Sequence, residues 1–390
     1  MEILNYNHNM RYRLFGTRTN VLLSVLGFGA MRFPLVDGKI DRSKVFELLD
    51  AGMDGGINYI DTAYIYNNGD SEIILGEYLA GDPSRREKAY IATKLPVWDL
   101  KQNGDQNVFF ETQLSRLQSE TSDFYLLHAI NKQNWDIIKK TRTLEWLDEE
   151  KKRGRIRFVG FSFHDDYNLF RDVVDAYDWD FCQIQYNYAQ EDIQAGVRGL
   201  KYAHERGLGV IIMEPLFGGF LTGPQMPPGA CLLFEKSGLD PVGAALRWLW
   251  NQPELSIVLS GMAEIHQVND NLRTASSAEP GILADVEKEV LGKVCRFIRE
   301  HVPIGCSKCG YCLQSCPVGV NISVMFDLYN KHLLVDRKHI LQPALYNGCL
   351  PNEKASACIE CGACLVHCPQ EIDIPQWLKK VAAEFETKTD

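Results

Sequence analysis

The chain has 390 residues, of which 45% are hydrophobic and 24% charged, enough apolar material for two folded domains with one of them large. Its formal charge of −10 and the lack of any basic run of five or more argue against a nucleic-acid-binding protein. The most apolar stretches, Val21–Met31 and Val210–Leu221, are interrupted by Ser, Gly, Glu or Pro and fall short of the roughly 20 residues of a membrane span, and Met1–Met10 has no signal-type apolar core, so a cytoplasmic protein is expected.

In chain order, residues 11–22 predict a hairpin turning at Gly16–Asn20. Strands and helices alternate after it. The predicted strands are Ser24–Met31, Tyr59–Asp61, Ala89–Lys94, Phe124–His128, Phe158–Ser162, Phe181–Asn187, Val210–Glu214 and Ile257–Ser260. The helices that follow them are Ser43–Gly52, Glu72–Leu79, Val108–Leu117, one long helix within Trp135–Arg153, Leu169–Ala176, Val197–Glu205, Pro241–Trp250 and His266–Leu272. Eight such units predict a (β/α)8 TIM barrel, and the strands are nearly continuously apolar, as parallel strands covered on both faces should be. A doubly wound open sheet would want G-x-G-x-x-G at the first helix. Gly27-Phe-Gly29 is followed by Ala-Met-Arg, and that pattern fails.

Most predicted strands end in a polar residue: Asp61, Lys94, His128, Ser162, Asn187, Glu214 and Ser260. In such a barrel those ends form the active-site rim. The barrel is expected over residues 1–278, a connecting helix over 279–304, and a small, mostly α-helical domain over 305–390, with helices at Val324–Leu334 and Pro375–Phe385.

That last domain carries two cysteine runs. Cys306, Cys309, Cys312 and Cys316 precede Pro317, and Cys358, Cys361, Cys364 and Cys368 precede Pro369, each as C-x2-C-x2-C-x3-C-P. Three thiolates on one tight loop can hold three corners of an iron–sulfur cube, and the fourth reaches a second cube. Structural zinc prefers paired C-x2-C knuckles, and disulfides need an oxidising compartment. The runs resemble those of bacterial two-cluster ferredoxins. The resemblance implies two [4Fe–4S] clusters, one on Cys306, Cys309, Cys312 and Cys368, the other on Cys358, Cys361, Cys364 and Cys316. The other four cysteines, Cys182, Cys231, Cys295 and Cys349, read as small buried hydrophobes.

The stretch from Asp61 through Tyr66 and Glu72 to Gly76 resembles the aldo-keto reductase signature. Lys94 and His128, ending strands three and four, match the family's other two catalytic positions. The resemblance spans roughly residues 11–275. It implies reduction of an aldehyde or ketone, or oxidation of an alcohol, with NADP or NAD. The chemistry also follows from the side chains. A tyrosine hydroxyl can protonate the developing oxyanion, but its ordinary pKa of about 10 is too high for efficient exchange near neutrality. A nearby ammonium, Lys94, favours the tyrosinate, Asp61 balances that charge, and His128 orients the substrate oxygen.

On the cofactor side the family places Ser-Asn after strand five. This chain has Ser162-Phe163, so only Ser162 carries over. Gln183 matches the second carboxamide partner, and Met213 stands where an aromatic residue often stacks on nicotinamide. The turn from Glu214 through Leu216 to Gly218 resembles the family's approach to the pyrophosphate. Ser260, Gly261, Gln267 and Asn271 follow its outline after strand eight. The basic residues that usually grip the 2′-phosphate of NADP are absent there. Two other readings stand beside this one. One is a reductase fed by a ferredoxin- or flavodoxin-type partner through a flavin or other non-nicotinamide intermediary. The other is an electron-transfer or interaction module with a non-catalytic barrel.

Overall fold

The structure is a computed structural model that describes residues 2–3, 7, 9–223, 226–334 and 341–386. The N-terminal stretch read for a leader lies partly outside them. The chain divides into two compact units, Met1–Pro215 with Val242–Ala284, and Leu216–Pro241 with Asp285–Asp390. Among the described residues no helix is long and apolar enough to cross a membrane.

The first unit is a closed barrel of eight parallel strands in sequence order. They are β1 (Leu26–Gly29), β2 (Tyr59–Asp61), β3 (Tyr90–Leu95), β4 (Ser122–Ile130), β5 (Ile156–Phe163), β6 (Phe181–Gln185), β7 (Gly209–Met213) and β8 (Ile257–Ser260). Its main helices are α1 (Arg42–Asp54), α2 (Asp70–Gly81), α3 (Asp105–Leu117), α4 (Lys132–Lys140), α5 (Thr143–Lys152), α6 (Tyr167–Asp175), α7 (Gly196–Glu205), α9 (Pro241–Trp250) and α10 (Ile265–Ala275); α8 (Pro228–Ser237), between α7 and α9 in the chain, groups with the second unit.

The strand period of two sorts side chains into two cores. Ile60, Tyr125, Leu127, Phe161, Phe163 and Ile184 face outward and pack under the helices. Tyr59, Tyr90, Phe124, Leu126, Phe181 and Ile211 fill the barrel interior. Phe15, from the N-terminal hairpin, joins that interior 5.3 Å from the Phe124 ring. The same alternation carries Asp61, Lys94, His128, Ser162 and Gln183 inward, one step further along their strands. The interior is therefore apolar early in the strands and polar at their C-terminal ends, which is what places the site.

Three elements differ from the sequence reading. The single helix expected within Trp135–Arg153 is two, α4 and α5. Arg142 between them adopts φ 55°, and the buried Gln106 amide donates to the Thr141 carbonyl at 2.9 Å and to the Thr143 hydroxyl at 2.8 Å. The first of these bonds satisfies a backbone carbonyl that a continuous helix would have bonded itself, and the second anchors the break from a neighbouring helix. Strand β6 stops at Gln185, so Asn187 lies in the following loop, where its amide donates to the Glu214 carbonyl at 3.1 Å. The segment Leu216–Pro241, read as part of the barrel, groups with the second unit.

Among the described residues the second unit holds helices and short 3₁₀ turns and no strand. Its main helices are α11 (Asp285–His301), α12 (Ile322–Leu334), α13 (Leu341–Asn347) and α14 (Ile374–Glu386). Helix α8 packs on α11, and Gly229 permits this: a Cβ there would lie 2.4 Å from the Phe297 ring. A small core containing Val320, Met325, Phe326, Tyr346, Leu378 and Val381 surrounds the cysteine-bearing loops.

Candidate active site and cluster-binding cysteines

Strand β2 ends at Asp61, and five residues later Tyr66 opens a tight turn. Asn67 (φ 52°), Asn68 (φ 57°) and Gly69 (φ 95°) follow in the left-handed region, which Asn and Gly tolerate best. Lys94, in β3, is 1% exposed and Asp61 is 2% exposed. The ammonium donates to Asp61 Oδ1, to the Thr62 carbonyl at 2.7 Å and to Tyr66 Oη at 3.2 Å. It also lies 4.6 Å from the centre of the Tyr66 ring. The His128 ring meets Tyr66 edge-on at 5.9 Å. The structure thus brings Asp61, Tyr66, Lys94 and His128 together from three strand ends and one turn.

Burial pushes Asp61 up and Lys94 down toward their neutral forms, and the contact between them opposes both shifts. Paired and hydrogen-bonded, they stand as carboxylate and ammonium. Burial, aided by the Lys94 charge and by His164, holds His128 well below the usual histidine range. A neutral imidazole donates at one nitrogen only.

Of the residues read as cofactor contacts, Ser162 and Gln183 sit side by side in the β5–β6 register. Ser162 Oγ accepts the Ala129 N–H at 2.8 Å, leaving its own O–H to donate. Gln183 lies near enough to Asp61 to oppose the rise that burial gives its carboxyl, and its own buried carbonyl oxygen has no hydrogen-bond partner. Met213 ends β7 beside Gln185. Glu214 follows at φ 54° and forms a 3.7 Å ion pair with Arg32. Gly261 lies exposed beside Arg32. Ser260 and Asn271 bond each other at 3.0 Å on the helix-facing side of β8. Gln267 is spent on capping α10, accepting the Ala263 N–H at 2.8 Å. Leu216 and Gly218 belong to the second unit. There a Cβ on Gly218 would come 2.1 Å from the Ser307 carbonyl oxygen, in the first cysteine loop.

The eight run cysteines gather into two sets. Cys306, Cys309, Cys312 and Cys368 line one hollow. Cys316, Cys358, Cys361 and Cys364 line another. None of the eight is tied up in a disulfide. Each set takes three thiols from one run and the fourth from the other, and the donors are all soft sulfur. Both features fit an iron–sulfur cube. Gly310 and Gly362, at φ 83° and 74°, turn the loops that present them.

Sequence reasoning missed Trp98, whose ring lies 5.2 Å from His128, and His164, which burial lowers to about 4. It also missed Gln113 and Arg116, which reach the back of the site from α3. A single inward position after a strand would have flagged His164. Trp98 sits in the short 3₁₀ turn Val97–Asp99 and carries no such signal.

The 4Fe-4S dicluster domain profile matches residues 305–372, and the aldo/keto reductase family profile matches residues 25–279. The chain belongs to the aldo/keto reductase family. It is an oxidoreductase of that family with a ferredoxin-type 4Fe-4S domain. An uncharacterised oxidoreductase of Bacillus subtilis, YrpG, is 27% identical over 72% of this chain and 94% of its own length. An NADH-specific methylglyoxal reductase of Escherichia coli is 26% identical over 65% of this chain and 90% of its own. A solved family structure, an aldo-keto reductase of Bacillus halodurans in its holo form, aligns with TM-score 0.61 at 25% identity. It covers 73% of this chain and 96% of that one.

Proposed function

We propose that the barrel reduces a small aldehyde or ketone, or oxidises the matching alcohol, with a nicotinamide nucleotide. The observation that carries this reading is the Tyr66 hydroxyl held 3.2 Å from a buried ammonium that is itself paired with Asp61. Tyr66 gives its proton to the oxygen as negative charge develops there. Lys94 stabilises the tyrosinate left behind. Asp61 keeps Lys94 in place and charged. His128, neutral, donates to the same oxygen and sets its direction.

The bound nucleotide would supply the hydride. Ser162 and Gln183 fit its carboxamide, since one offers an O–H and the other a free carbonyl oxygen at paired positions. The name of the E. coli relative sets a precedent for NADH, and the absence after β8 of the basic residues that usually grip an NADP 2′-phosphate agrees with it. The cysteine sets would hold two [4Fe–4S] clusters, which exchange single electrons. A ferredoxin- or flavodoxin-type carrier is the partner that such centres suit.

The test is anaerobic oxidation of NADH and NADPH by the cluster-loaded protein with a panel of small aldehydes and ketones. Turnover is expected with at least one pair, and Tyr66→Phe is expected to lower kcat by about 10²–10⁴-fold with nucleotide affinity unchanged. Equal kcat in the variant would remove Tyr66 from the chemistry.

A further inference from the structure

Behind the four residues lies a buried carboxylate that the proposed chemistry does not use. Glu72, on α2, is 0% exposed. Its Oε1 accepts from the Thr93 hydroxyl at 2.5 Å and from the Gln113 amide at 2.9 Å. Its Oε2 accepts from Arg116 at 3.0 Å. Burying one charge this completely costs several kcal/mol unless partners repay it, so its place invites a reason.

Each partner leads to the site. The Gln113 amide also donates to the Lys94 carbonyl at 3.0 Å. Tyr125 fixes that amide's orientation by donating to its oxygen at 2.7 Å. Arg116 Nη1 donates to the Tyr64 carbonyl at 3.0 Å, two residues before Tyr66. Its guanidinium also lies over the Tyr64 ring at 4.3 Å. On the far side of Tyr66, a Cβ on Gly69 would come 2.8 Å from the same guanidinium. Arg116 thus bonds the chain just before Tyr66 and lies against the left-handed turn just after it. Gly76 lets α3 come this near, since a Cβ there would lie 2.2 Å from the Arg116 carbonyl oxygen.

We infer that Glu72 is the positioning residue of the site: through Gln113 and Thr93 it fixes the strand that carries Lys94, and through Arg116 it fixes the turn that carries Tyr66. It touches neither substrate nor reacting atoms. Its consequence is the distance between the Tyr66 hydroxyl and the Lys94 ammonium. Its charge also bears on Lys94, whose ionisable and charged neighbours are Asp61, Tyr66, His128, Glu72 and, beyond Glu72, Arg116. The catalytic consequence rests on the proposed function. The hold on the turn does not.

The experiment uses Glu72→Gln, which keeps the volume and removes the charge, in the full cluster-loaded chain. kcat is expected to fall by about 10²-fold, the cost of misplacing a reacting group by about 1 Å. KM for the carbonyl and nucleotide affinity should hold. The alkaline limb of the kcat profile should move to lower pH, because losing a nearby negative charge makes the Lys94 ammonium easier to deprotonate. Hydrogen exchange over residues 62–70 should quicken. Arg116→Lys keeps the ion pair but cannot also hold the Tyr64 carbonyl, and is expected to give the same exchange change with a smaller loss of kcat. It serves if Glu72→Gln does not fold. Folded variants with unchanged kcat, pH profile and exchange would overturn the inference. A wild-type chain without carbonyl turnover would sink the proposed function alone, and the exchange data would still decide whether Glu72 holds the turn.

Discussion

At the scale of single residues, the site is a set of groups displaced from their ordinary chemistry by burial. Lys94 and Asp61 tolerate it by pairing. His128 has no carboxylate partner among its described contacts and is driven neutral. The pH behaviour follows. Protonating His128 requires pH well below the usual range, so kcat should show no acid limb near pH 6.5, the ordinary histidine value. Measuring kcat against pH at saturating nucleotide checks this. A limb near 6.5 that His128→Gln removes would contradict it. Folding stability carries the same sign. The unfolded chain takes up protons that folded His128 and His164 refuse, so stability falls as pH drops through the histidine range toward about 4. The identities of Asp61, Tyr66, Lys94 and His128 were legible in the sequence because each sits at a strand end or a fixed step beyond one. Gln113, Arg116 and Trp98 were not, since they arrive from a helix or short turn whose contacts no local pattern encodes.

At the scale of elements, strand alternation did most of the placing. The strands were readable because their apolar runs are short and bounded by Gly, Pro or polar residues. The break between α4 and α5 was not readable. It depends on Gln106 meeting Thr141 and Thr143 from another helix, a tertiary contact that overrides a helical period. Close backbone approach marks a second such place. Gly218, at φ 65°, lies against the Ser307 carbonyl in the first cysteine loop. Gly218→Ala must move one of them, at a cost of about 1–3 kcal/mol from crowding alone. Iron assays and visible absorbance of the purified variant should show loss from the set containing Cys306, while the set containing Cys316 keeps its iron. Full iron content would contradict this packing argument.

At the scale of the whole molecule, an aldo/keto reductase barrel shares one chain with a 4Fe-4S dicluster domain; iron–sulfur cubes exchange electrons singly, whereas a hydride carries a pair. Both halves were legible as classes of structure, the barrel from its repeating units and the cluster domain from its cysteine spacing. The grouping of Leu216–Pro241 with the cluster unit was not, because it rests on α8 packing against α11, and both helices read as ordinary amphipathic segments in isolation. The substrate was not legible either. The central claim is that Tyr66 and its neighbours complete a hydride transfer to a carbonyl. Its most direct measurement is isotopic: anaerobic, cluster-loaded protein is given NADH or NADPH deuterated at C4 and an accepted carbonyl, and the alcohol is examined by mass spectrometry. Deuterium on the former carbonyl carbon, lost when Tyr66 is replaced by Phe, is the expected result. An alcohol formed without the label would contradict the account.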